Sequence, residues 1–202
     1  MEVEENDGFV EIISIDLVQP HPKNNLIYSK GFENLTKLTK SIQKHGQLEP
    51  IVVTSKNVII SGHRRYNVLK NLGYKTVFVR VRDFENEIEA IINFNIQREK
   101  RGEDIANEIQ YLEKEVYSKI ERRGRKKRGD DVGKTDKLSE YAERYEISRS
   151  SASTLLQIER NCPHLIKRLK LKGNIDGNLT LNKAYELCYK SDKSTSEIKT
   201  DN

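Results

Sequence analysis

Val58-Ile59-Ile60-Ser61-Gly62-His63-Arg64-Arg65-Tyr66 is the stretch whose reading decides the fold. Three β-branched residues run into Ser61-Gly62, and a basic, helix-compatible segment follows at once. A buried strand that ends in glycine and opens a helix leaves unpaired backbone N–H groups at the helix start, where the helix dipole is positive. That geometry suits an anion, and Arg64 and Arg65 add fork-shaped donors that match phosphate oxygens. The same spacing also describes a plain connector, so both readings stand at this level. His63 by itself reads as a polar residue in the first helical turn.

Upstream, Ser55-Lys56-Asn57 turns Ile51-Val52-Val53-Thr54 back into Val58–Ser61, which predicts a hairpin. Leu35, Leu38 and Ile42 mark one face of a helix capped by Asn34 and stopped at Gly46. Val10–Leu17 alternates loosely through Ile12, Ile13, Ile15 and Leu17 and predicts a first strand. The prolines in Gln19–Asn25 predict a loop, since each biases its predecessor to extended geometry. Downstream, the helix after Gly62 carries Val68, Leu69 and Leu72 and ends at Gly73. Thr76–Val81 follows as a strand with Val77, Val79 and Val81 on one face. From Glu85 the pattern is helical. Ile88, Ile91, Ile92 and Asn95 share a side through Gln97. Ile105, Ile109, Leu112, Val116 and Ile120 then form a narrow stripe along a charged rod, Glu103–Ile120, whose partner is another helix or a second copy.

A chain of 202 residues has room for one or two domains. Only 35% of residues are hydrophobic, which suits small cores and exposed helices. A net charge of +5 and a pI near 9.0 favour a polyanionic partner. No long apolar run is present and Met1–Glu5 is acidic, so neither a membrane span nor a signal peptide is expected. Cys162 and Cys188 lack CxxC spacing and fit reduced thiols in a cytoplasm. His21, His45, His63 and His164 are too scattered for metal-ligand spacing.

Arg122, Arg123, Arg125, Lys126, Lys127 and Arg128 put six basic residues into seven. With glycines at 124, 129 and 133 the run reads as a solvated linker that contacts phosphates. Lys137–Ile158 has helix-turn-helix patterning. Leu138, Tyr141, Ala142 and Tyr145 fit a first helix, Glu146-Ile147-Ser148 a tight turn, and Ala152, Leu155 and Ile158 a second helix. Glu146 stands where such turns more commonly carry glycine. With Ser148 as cap, Arg149, Ser150, Ser153, Thr154 and Gln157 face away from the core and can enter a major groove. The competing reading is an ordinary helical hairpin. Pro163–Leu171 and a helix capped by Thr180 follow, and a polar tail occupies 191–202.

Three blocks resemble the ParB/sulfiredoxin superfamily, in its partition-protein branch. Gly46-Gln47-Leu48-Glu49-Pro50-Ile51-Val52-Val53 resembles the family's Gly-x-x-Gln/Glu-Pro-Ile-x-Val box. Ser61–Tyr66 resembles its Gly-Glu-Arg-Arg-aromatic motif, and Asn95-Ile96-Gln97-Arg98-Glu99 the tail of its Glu-Asn-Leu-Gln-Arg-Glu motif. Order and spacing agree over roughly residues 10–190. The resemblance implies an α+β architecture. A small mixed-sheet nucleotide-binding domain (9–101) would precede an all-α DNA-binding domain (102–190), with the helix-turn-helix at about 137–158. It implies a nucleoside triphosphate, CTP ahead of ATP, with magnesium near Asn95, and Gln47, Glu49, Gly62, His63, Arg64, Arg65, Asn95 and Arg98 around it. Ser148, Arg149, Ser150, Ser153, Thr154 and the basic run would meet double-stranded DNA. A partition ATPase and self-association are further partners it implies. Because only a polar tail follows Tyr189, dimers are expected to use the helices or the N-terminal domain.

Two departures bear on chemistry. His63 replaces the family's glutamate and Phe94 replaces the acid before Asn95, so negative charge is lost where an ion would sit, and nucleotide hydrolysis is expected to be slow or absent. The competing classes are an ATP-using phosphotransferase or ATPase, a nuclease, and a repressor that has lost nucleotide. No clustered carboxylates suited to a nuclease stand out.

Overall fold

The structure, a computed structural model, describes residues 9–28, 35–117 and 137–190. It divides into two compact units, Met1–Asn95 and Ile96–Asn202. The division precedes the boundary at 101 read from the sequence because Lys100 already belongs to the second unit. Its backbone N–H donates to Gly173 O at 2.7 Å, and its ammonium pairs with Glu108.

In the first unit, β1 (Phe9–Ser14), β2 (Gln19–Pro20), β3 (Ile51–Val53), β4 (Val58–Ser61) and β5 (Thr76–Val81) form one mixed sheet in the order β1-β5-β3-β4-β2. β1 runs antiparallel to β5, β3 parallel to it, and β3 with β4 makes the expected hairpin. The helices are α1 (Asn24–Ile27), α2 (Thr36–His45), α3 (His63–Asn71) and α4 (Glu87–Phe94). Ile42 of α2 and Val68 and Leu69 of α3 pack with Ile51, Ile59 and Val79 of the sheet, so the alternation and the helical periodicity meet in one core. α2 and α3 stop at Gly46 and Gly73, as the sequence predicts, both with positive φ. The cap expected at Asn34 lies outside the described residues.

Two local expectations change. The proline segment is not a plain loop: Gln19-Pro20 pairs in parallel with Val58-Ile59, and Asn24–Ile27 makes one helical turn. Proline tolerates both roles, at a sheet edge and ahead of a helix. α4 is shorter than 85–97 because the Asn86 side chain accepts from Ile88 N and Glu89 N at 3.1 and 3.2 Å and so fixes its start.

The second unit is helical: α5 (Gly102–Tyr111), α6 (Lys137–Tyr145), α7 (Arg149–Asn161), α8 (Pro163–Ile166) and α9 (Leu181–Lys190). α5 opens into a π-helical segment at Leu112–Tyr117, where the sequence predicts an unbroken α-helix. Its stripe of Ile105, Ile109, Leu112 and Val116 is buried as expected, and Ile120 lies outside the described residues. Lys100 and Glu108 form a buried ion pair, 4% and 0% exposed, with 2.8 Å between Nζ and Oε1. A Cβ on Gly102 would sit 1.6 Å from Lys167 O, so only glycine lets α5 start against that backbone. α8 ends at Ile166, short of Leu171, because Lys170 N–H pairs instead with Leu179 O at 2.8 Å. The cysteines are joined, which overturns the expectation of reduced thiols. Packing of α9 beside the end of α7 brings Cys162 and Cys188 to a Cα separation of 5.9 Å, within disulfide range, across 26 positions of sequence.

Candidate functional site

β4 delivers Gly62 beside the start of β3, since Ser61 pairs with Val52. Gly62 has φ 101° and caps α3. A Cβ there would be strained by that φ and would press on Ile51 Cα at 3.4 Å and Arg65 Nη1 at 3.3 Å. The first backbone N–H groups of α3 therefore face outward from a glycine, with the positive end of the helix dipole behind them.

The two arginines differ. Arg64 is exposed, whereas Arg65 curls beneath the turn and donates from Nη1 to Pro50 O at 3.0 Å. Burial lowers the Arg65 pKa and the nearby Glu49 carboxylate raises it, with burial the larger effect. Arg65 thus ties the Gly46–Val53 box to the Ser61–Tyr66 motif. Gln47 has a sheet role: its side-chain oxygen accepts from Phe78 N at 2.9 Å and its nitrogen donates to Phe78 O at 2.7 Å. The amide thereby pairs with the β5 backbone ahead of β3. Glu49 is exposed, beside Arg65.

A histidine outside the three blocks joins the turn. His21 is buried; its Nδ1 accepts from Lys23 N at 3.2 Å, and its Nε2 lies 3.1 Å from Glu87 Oε2. Its backbone N–H donates to His63 Nε2 at 3.2 Å. Burial lowers the His21 pKa more than Glu87 raises it. Sequence reading missed His21 and Glu87, because only their separate elements, the β2–α1 loop and the start of α4, bring them together. The position of His21 between Pro20 and Pro22 is the sole local signal.

Asn95 caps α4, and its Nδ2 donates to Ile91 O at 2.8 Å. Its carbonyl oxygen is therefore the end suited to a cation, which fits the expected magnesium only as a single neutral donor. Among the described residues no group of three His, Cys, Asp or Glu is placed to hold a metal ion. Phe94 is 45% exposed. It packs edge-on to Phe84 at 5.9 Å, and both line a cleft of about 410 Å³ with Arg82, Glu85, Asn86 and Glu89. Arg98 falls in the second unit.

In that second unit, α6 and α7 pack through buried Tyr141, Tyr145, Ala152, Leu155 and Ile158. Ile147 N–H donates to Ala142 O at 2.9 Å across the turn, and Glu146 holds φ 53°, the left-handed conformation that the usual glycine adopts freely. Ser148 Oγ accepts from Ser151 N at 3.1 Å and caps α7. Arg149 and Ser150 are exposed and Ser153 and Thr154 half-buried, with Arg149 Nη1 donating to Ser139 Oγ at 3.2 Å. Thr154 Oγ1 donates back to Ser150 O at 3.2 Å. The basic positions Arg122, Arg123, Arg125, Lys126, Lys127 and Arg128 lie outside the described residues. No helix among the described residues is long and apolar enough to cross a membrane.

The ParB N-terminal domain model matches residues 1–95. A probable chromosome-partitioning protein ParB from Rickettsia typhi is 30% identical over 171 residues, covering 82% of this chain and 52% of that protein. The chain thus spans about half the length of that relative. An ATP-dependent L-serine kinase from Staphylothermus marinus is 26% identical over 178 residues, 85% of this chain and 66% of the kinase. A pNOB8-like ParB N-domain structure, in its C2221 form, matches with a TM-score of 0.64 at 19% identity, over 94% of this chain and 82% of that one, a likeness of fold.

Proposed function

We propose, from the match of residues 1–95 to the ParB N-terminal domain family, that this chain is a cytoplasmic DNA-binding protein of a partition or mobile-element system. In this reading a nucleoside triphosphate bound at the Gly62 turn is its switch. The observation that carries the reading is the turn itself: a positive-φ glycine capping α3, with exposed Arg64 at its mouth and Arg65 fixing the neighbouring box. Those groups offer backbone N–H donors, a helix dipole and a guanidinium to a phosphate chain. CTP is the first nucleotide to try and ATP the second. Self-association and a partition ATPase are the protein partners this reading assigns.

The DNA-reading half of the reading is supported by the capped α7 with Arg149 and Ser150 on its exposed side. Arg149→Ala should relax sequence preference and cost about 1–3 kcal/mol at a cognate site. Replacing Arg125, Lys126, Lys127 and Arg128 by alanine should weaken cognate and random DNA alike and flatten the salt dependence. Anisotropy titrations on selected and scrambled duplexes at several salt concentrations separate the two effects. If neither variant changes binding, α6 and α7 are scaffold.

The similarity to a serine kinase over 85% of this chain favours one second reading, an ATP-using phosphotransferase. Transfer of phosphate from ATP to free L-serine, followed by product detection, is the measurement that would put it first.

A further inference from the structure

We propose that the Cys162–Cys188 bond is a reversible thiol–disulfide site, opened by a dithiol reductant, and that opening it releases α9 while the rest of the second unit stays folded. The bond joins the residue that ends α7 to the buried face of α9. Among Leu181–Tyr189 only Ala184 and Cys188 are buried, four positions apart and so on one face of the helix. Ala184 contributes a single methyl group, and Cys188 is half of the bond itself. Leu181 is half-buried, and the other large apolar side chains of α9, Tyr185, Leu187 and Tyr189, are 39%, 44% and 37% exposed. Apolar burial therefore holds α9 weakly. Asn161 Nδ2 donates to the Tyr189 hydroxyl at 2.8 Å, but both residues are exposed and water can replace that contact. Ten residues are too few for a helix to persist in water by itself, so α9 depends on its tether.

The chain between the cysteines is held differently. Leu165, Ile166, Leu169, Leu171 and Leu179 are buried. Lys170 N–H donates to Leu179 O and Leu179 N–H to Arg168 O, both at 2.8 Å. That segment stays docked without the bond, and α9 swings out from Thr180, just beyond it. Cys188 is 5% exposed and Cys162 half-buried, so an incoming thiolate approaches at Cys162. Attack forms a mixed disulfide on Cys162 and expels Cys188 as a thiolate, which takes up a proton. The second thiol of the reductant then attacks the mixed disulfide and frees Cys162. Two electrons and two protons pass from the dithiol, which ends as a disulfide, to the cysteine pair, and a low-molecular-weight disulfide reverses the exchange.

The test is amide hydrogen exchange of the full chain, read by mass spectrometry, after oxidation with glutathione disulfide and again after reduction with dithiothreitol in the absence of denaturant. Reduction should speed exchange in Leu181–Lys190 at least about tenfold, change residues 149–179 less than about twofold, and be undone by reoxidation. Alkylation of the intact chain should count both cysteines as thiols after reduction and neither before. Cys162→Ser should exchange fast over Leu181–Lys190 with or without dithiothreitol, which separates the bond from other effects of the reductant. Protection of Leu181–Lys190 that survives reduction of the wild type overturns the proposal, as does a bond that dithiothreitol cannot open in the folded chain. Thiols that glutathione disulfide cannot couple overturn it as well. Loss of protection through α7 makes the bond a staple of the whole unit, and that result also overturns the proposal.

Discussion

Removing Arg65 should damage fold and site together, whereas removing Arg64 should damage the site alone. Arg65 reaches under the Gly62 turn to Pro50 O at 3.0 Å and is half-buried there. A hydrogen bond from a charged donor contributes about 1.5–3 kcal/mol. Pro50 is only partly shielded, so water can replace the lost donor and the lower part of that range applies, about 1.5–2 kcal/mol. For a unit of this size that corresponds to a fall in Tm of roughly 6–16 °C. Arg64 is exposed, and its exchange should leave stability within about 0.5 kcal/mol. Both variants should lose roughly ten- to a hundred-fold in triphosphate affinity, Arg64→Ala because it removes a charged donor and Arg65→Ala because it frees the box that the turn is anchored to. Scanning calorimetry of the full chain gives the stabilities, and titration calorimetry gives the affinities. Equal Tm values for Arg64→Ala and Arg65→Ala would refute the anchoring role, and unchanged affinity in both would refute the phosphate role.

Further outcomes follow from the rest of the molecule. Glu108→Gln leaves the Lys100 ammonium buried without its counter-charge, removes a carboxylate that also stabilises buried Arg144, and should cost about 3–5 kcal/mol in urea unfolding. Glu146→Gly relieves a left-handed residue at the helix turn and loses only an exposed pair with Lys172, so a net gain of about 0.5–1 kcal/mol is expected by the same measurement. Burial holds the folded pKa of His21 below its ordinary 6.5, so the unfolded chain binds the proton first. The stability this ring contributes is complete above 6.5 and lost as pH falls from there through the folded value. His21→Asn should flatten that part of a Tm-versus-pH curve. Nucleotide turnover should be slow or absent by phosphate release, and Phe94→Glu should sharpen the dependence of binding on magnesium; fast wild-type turnover slowed by that exchange would contradict the role given to the missing acids.

What the sequence makes legible here is local. The strand into Gly62, the stops at Gly46 and Gly73 and the Ser148 cap are each fixed by residues within a few positions, and all are found where the pattern puts them. The anomaly at Glu146 was equally readable, because a tight helical turn needs one left-handed residue whatever side chain occupies it. Contacts between distant segments were not readable. The Gln47 amide on Phe78, the buried Lys100–Glu108 pair, the close approach at Gly102 and the Cys162–Cys188 bond depend on which elements meet. His21 and Glu87 are hidden for the same reason, although His21 bonds to His63 at the Gly62 turn. The periodic stripe on the long rod predicts burial correctly but not the change from α to π geometry at Leu112, since a switch from i−4 to i−5 bonding over about one turn is marked by no particular residue type.

Titration calorimetry of the intact chain with CTP, ATP and GTP, each with and without magnesium and duplex DNA, tests the central claim most directly. Saturable binding of at least one triphosphate, weakened more than about tenfold by Arg64→Ala, is the predicted result. No heat from any triphosphate under any of these conditions, with the chain folded, would contradict it.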